Sequence, residues 1–184
     1  LSEPQHNFFS LVRDPAQTAF DRQCTTPPVP PFETGFLGYD RVQIRDFIAE
    51  HLSEAPQCSS LEPDQYALLD ERSSSESTVV IGMAFSSLHD RDPGTMTEEE
   101  LEQWEHECDE NDDAPKDLWR EFRVKFDEVE KLTTTLTMES DFTQKLYNDE
   151  FVASHTDEQG VFQLARAQHA FEAFHGVEEG SDEG

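Results

Sequence analysis

Positive charge is scarce in this sequence. Lys and Arg together number 13 against 41 Asp and Glu, a formal net charge of -28 over 184 residues, with a pI near 4.3. Such a field repels phosphate backbones and anionic membrane surfaces, because binding either one requires cations that displace its counter-ions. Direct nucleic-acid binding and membrane binding are therefore not expected. A basic protein surface is the partner that electrostatics favour.

Cysteine is scarce as well. Cys24, Cys58 and Cys108 are odd in number, widely spaced and form no C-x-x-C, so neither a disulfide framework nor a structural zinc site is expected. That usage fits a reducing, cytoplasmic setting. A first residue of Leu1 rather than Met fits a processed or excised chain, which keeps a secreted effector as an alternative. No run approaches the roughly twenty apolar residues that a membrane helix needs.

The nucleotide and metalloprotease signatures G-x-x-x-x-G-K, G-x-G-x-x-G and H-E-x-x-H are also missing. Asp109-Glu-Asn111-Asp-Asp113 begins like a calcium loop. It then places Ala114 where the turn needs glycine and Arg120 where the ion needs a bidentate glutamate. Ser86, Ser87, His89 and Asp90 have the side chains of a hydrolase triad, but within five residues of one loop they cannot converge properly, and no G-x-S-x-G surrounds them. His106 and Cys108 would need metal ligands from elsewhere. No cofactor and no metal are expected.

What is present suffices for a core. Apolar residues make up 35% at a mean hydropathy of -0.73, but 14 Phe, 2 Trp and 3 Tyr bring large units of burial. Arg41 to Ala55 repeats apolar residues at helical spacing behind Asp40, with Gln43 placed to complete a capping box. Tyr66 to Asp70 and Thr78 to Phe85 are expected as strands joined through the serines of SSSES. Val79-Val80-Ile81 marks the second as a central strand covered on both faces.

Thr97 and Glu100 form a capping-box pair ahead of a helix with Leu101, Trp104 and Cys108 on one stripe. LWREFRVKF alternates as a half-buried strand, with Arg123 on its polar side. The spacing of Val129, Leu132 and Leu136 predicts a helix despite the threonine run. Asp141 to Phe151 reads as one or two helical turns, Gln159-Gly160 as a turn and Val161 to Leu164 as a strand. Leu164 to His175 is a helix by its periodicity, with Gly176 placed as its C-cap.

The sum is a single α+β domain, a small, mainly antiparallel sheet packed by amphipathic helices. An N-terminal arm and Pro-rich connector (1–34) precede the α+β domain (35–175), and an acidic tail (176–184) expected to be disordered follows it.

Two clusters hold chemistry. Asp70, Glu71 and Arg72 stand at the end of a strand and form a candidate polar site. Alternation puts Asp70 on the side of Tyr66 and Leu68, within reach of Arg72 or Arg123. From Thr97 to Asp113 there are ten carboxylates and no Lys or Arg. A docking face for a basic partner would use Glu99, Glu102, Glu105, Asp109 and Asp113 as a charged rim and Trp104 as anchor.

Three short pieces, L-D-E-R-S at Leu69 to Ser73, W-x-x-x-R-V-x-F at Trp119 to Phe126 and D-x-x-G-V-x-x-L at Asp157 to Leu164, resemble a family of small uncharacterised domains associated with filamentous fungi and some bacteria. The resemblance implies the same α+β arrangement and brings no activity with it. The expected function is a non-enzymatic acidic interaction protein, an inhibitor or immunity-type antagonist of a toxin or a nucleic-acid-binding protein. The alternative is a small hydrolase or ligand-binding enzyme built on Asp70, Glu71 and Arg72.

Overall fold

A computed structural model describes residues 9–17, 25, 29–52, 64–86, 96–110, 116, 118–138 and 141–175. The chain forms two compact units, Leu1–Tyr66 and Ala67–Gly184, and each is taken by itself.

In the first unit, α1 (Arg41–Phe47) starts where the sequence places it. The Asp40 carboxylate accepts from the Gln43 N–H while the Gln43 side chain accepts from the Asp40 N–H, a full capping box. The helix widens into a π turn over Ile48–Leu52; residues 53–55 of the expected helix lie outside the described residues. Phe47 and Ile48 are buried, and Phe36 meets both Tyr39 and Phe47 edge to face.

All of the sheet but its first two residues, Gln65 and Tyr66, lies in the second unit. Strands β1 (Gln65–Leu68), β2 (Thr78–Phe85) and β3 (Leu118–Lys125) lie in the order β1-β2-β3, and β2 and β3 pair antiparallel. Every residue of β2 is buried, as its β-branched run predicts for a central strand. Register makes its two faces unequal. Val79 stands opposite Val124 and Ile81 opposite Phe122, while the other face sets Thr78, Val80, Gly82 and Ala84 against Lys125, Arg123, Glu121 and Trp119. The first face is bulky and packs as core. The second is built of smaller β2 residues and leaves room for the long side chain of Arg123.

The remaining helices are α2 (Glu71–Glu76), α3 (Glu98–Glu110), α4 (Val129–Thr137), α5 (Asp141–Leu146), α6 (Asp149–Ser154) and α7 (Leu164–His175), with a 3₁₀ turn over Phe126–Glu128 leading into α4. On α4 the helical spacing wins over the threonine run because Leu132 and Leu136 are fully buried, and Thr133, Thr135 and Thr137 return their hydroxyls to carbonyls one turn back. Leu146, Leu164 and Ala167 join them in the core. Phe142 packs on Phe171, Phe122 on Phe162, and Tyr147 stacks on Phe85 at 4.5 Å between centroids. The α+β class expected from the sequence is the class observed.

Two expectations are corrected. The serines of SSSES do not form a simple turn: residues 71–76 coil into α2, because Asp70 caps the helix and Ser73 closes the box by accepting from the Asp70 N–H. Val161 to Leu164 is not a strand. Only a single antiparallel bridge joins Thr156 and Phe162, and Leu164 already begins α7.

Candidate functional site

The polar cluster at the end of β1 grows from the cap of α2. Asp70 is extended and its carboxylate accepts from the Arg72 N–H at 3.1 Å and the Ser73 hydroxyl at 3.2 Å. The same carboxylate receives both terminal nitrogens of Arg123, one of them at 3.2 Å to Oδ1 and the other in close contact with Oδ2. Arg123 Nη1 also donates to Thr78 Oγ1 at 3.0 Å, diagonally across the β2–β3 ladder. The bidentate grip and the cap hold Asp70 below the ordinary carboxylate range, the hydrogen bond from Arg123 being the largest cause and burial opposing it.

Arg72 does not pair with Asp70, although the two are neighbours in sequence. Its guanidinium turns along α2 to grip Glu76, with Nε and Nη2 each at 2.7 Å from one carboxylate oxygen, and Nη2 also donates to the Gln159 carbonyl at 2.7 Å. The hydrogen bond raises the Arg72 pKa and lowers that of Glu76. Glu71 is exposed in the first turn, where the helix dipole favours a negative charge.

Gln159 belongs to the turn that Asp157 organises. Asp157 Oδ1 accepts from the N–H groups of Gln159 and Val161, its Oδ2 accepts from Gln163 Nε2, and Gly160 takes φ +76°. Beyond the turn, the Phe162 N–H donates to the Arg123 carbonyl at 2.7 Å. Three segments far apart in sequence, Leu69–Ser73, Trp119–Phe126 and Asp157–Leu164, thus meet at one node. Of its members, Thr78, Glu76 and Gln159 carry no signal of a site in the sequence, although Gln159 is legible there as part of a turn. Arg123 has one: a cation set between apolar residues of an alternating strand.

The chemical character of this node is that of a clasp. Its cations and carboxylates answer one another, and an Asp70 held ionised by Arg123 is far from the near-neutral pKa that a general base needs. Among the described residues, no group of three or more His, Cys, Asp or Glu could hold a metal.

The second expected site is on α3. The box at its start forms as predicted: Glu100 accepts from the Thr97 N–H at 2.9 Å and from the Thr97 hydroxyl at 2.8 Å, and these bonds lower its pKa. Glu98, Glu99 and Glu102 are exposed, and the helix carries no Lys or Arg. Trp104 is the correction. Only 7% of it is exposed, so its ring is already covered by its own chain and is not presented as an anchor. The side chains of Glu105 and Asp109, and the whole of Asp113, lie outside the described residues, as do Ser87, His89, Asp90, the side chain of Cys108 and residues 111–115 of the rejected calcium-loop match. Ser86 is buried and His106 exposed.

No helix among the described residues is long and apolar enough to cross a membrane. Compared with family models, curated proteins and solved structures, the chain finds no match.

Proposed function

We propose that this chain is a non-enzymatic acidic interaction protein that engages a basic protein surface, acting as an inhibitor or immunity-type antagonist of a toxin or a nucleic-acid-binding protein. The observation that carries this reading is the face of α3, where Glu98, Glu99 and Glu102 are exposed on a helix without a cation, in a chain of net charge -28. On such a partner the carboxylates would occupy the cationic surface that phosphates otherwise fill. Rim charges of this kind act chiefly through steering, by raising the association rate at low salt.

The enzymatic alternative draws no support from Asp70 and Arg72, which are engaged by Arg123 and Glu76. The test is capture of partners on the full chain, followed by association and dissociation rates for the purified partner at two ionic strengths. Glu99→Gln with Glu102→Gln should leave the fold intact, slow association and flatten its salt dependence. A neutral or acidic partner, or unchanged kinetics in the double variant, would overturn the reading.

A further inference from the structure

The first unit holds a surface of a different kind. The sequence TTPPVPPF places prolines at 27, 28, 30 and 31, just ahead of Phe32. Proline fixes φ near -65°, and a residue that precedes proline is driven to extended backbone, so Val29 and Pro30 are held toward the polyproline conformation by covalent structure alone. Val29 to Glu33 belong to no helix or strand, and all are exposed, Val29 at 38% and Phe32 at 45%.

The strip is held in place from behind. The Gly35 N–H donates to the Arg13 carbonyl at 2.8 Å, and the Thr34 hydroxyl donates to the same oxygen at 3.2 Å. The approach is so close that a Cβ on Gly35 would stand 2.7 Å from Asp14 Oδ2. On the strip itself, the Arg13 guanidinium lies over the Phe32 ring, 5.3 Å from its centroid. A cation is thereby carried beside the prolines by the fold, from a position 17 residues before Pro30. Between Phe9 and Ile48 four arginines face five carboxylates, so this region is nearly neutral in a chain of net charge -28.

We propose that Val29 to Phe32, with Arg13 beside them, form a docking strip for a protein domain that reads polyproline segments in an aromatic-lined groove with an acidic rim, the chemistry of SH3-type domains. The prolines supply a preformed ligand that loses little entropy on binding, and their rings match aromatic grooves. Arg13 meets the carboxylates of the rim. This strip is independent of the acidic face of α3, so either can fail without the other.

The full chain is titrated against immobilised, purified SH3 domains with carboxylate rims. Binding should weaken about tenfold or more in the variant Pro30→Ala with Pro31→Ala. Arg13→Gln should weaken it about threefold to tenfold and flatten its salt dependence. Glu99→Gln with Glu102→Gln should leave it unchanged. Circular dichroism checks that each variant is folded, and Pro31→Ala alone replaces the double variant if that one is not. No binding to any of these domains, binding that survives proline replacement or Arg13→Gln, or binding lost on changing Glu99 and Glu102, would overturn the proposal.

Discussion

Arg123, buried on β3, grips the carboxylate of Asp70, the residue that caps α2, and the pair spans 53 positions of sequence. The cap and the sheet are thereby one structure. Removing either partner strands the other: an arginine only 8% exposed without its anion, or a cap without its cation. Breaking such a pair typically costs about 3–5 kcal/mol when it is fully buried. The partial exposure of Asp70 lowers the expectation to about 2–4 kcal/mol for Asp70→Ala or Arg123→Ala. Urea unfolding of both single variants and the double variant would check this, with a coupling energy of about 1–3 kcal/mol expected from the cycle.

The same pair sets a dependence on pH. Arg123 lowers the Asp70 pKa in the folded state, so the folded protein releases that proton more readily than the unfolded chain. Its contribution is complete above the pKa of an ordinary carboxylate and is lost as pH falls through that value toward the folded one. Glu76 and Glu100 are shifted in the same direction, by Arg72 and Thr97. Melting temperature should therefore fall in acid, and Asp70→Asn should flatten the fall. An equal slope in both proteins would separate Asp70 from the acid response.

Ser77 ends α2 in the left-handed region, at φ 54° and ψ 46°, and it is the only non-glycine residue with positive φ among those described. The position is one that glycine adopts without strain. Ser77→Gly should be neutral or stabilising by up to about 1 kcal/mol. Ser77→Val should destabilise by about 1–3 kcal/mol, because a β-branched residue is strained there. Thermal melts of the two variants should move in opposite directions or differ by that amount.

Trp104 is a prediction about folding and not about contact. Since its ring is buried, Trp104→Ala should cost about 3–5 kcal/mol, the usual range for a buried aromatic truncated to alanine. Tryptophan emission of the wild type should also lie toward the blue in the native state. A Trp104→Ala protein as stable as wild type would show that the ring contributes no packing.

Local features follow from the order of residues alone. Each of the capping boxes at Asp40 and Thr97 is contained in four consecutive residues, so its geometry follows from composition and spacing. The buried run of β2 and the helical periods of α4 and α7 follow from apolar patterning, which needs only that a face find a core; β3, read as half-buried by alternation, instead buries Phe122, Arg123 and Val124 in succession. Tertiary structure decided the rest. The stretch SSSES, read as a turn, lies mostly in α2 although serine is a poor helix former; the Asp70–Ser73 box is itself local, and what the fold adds is the grip of Arg123 on Asp70 and of Arg72 on the Gln159 carbonyl. Two arginines were in reach of Asp70; Arg123 took it and Arg72 went to Glu76 and Gln159, a choice made by the β2–β3 register and the small side chains it sets around Arg123. Trp104 looked like an exposed anchor among carboxylates because periodicity gives the stripe of a helix and not what covers it. A sequence records which side chains share a face; only the folded chain determines what each face meets.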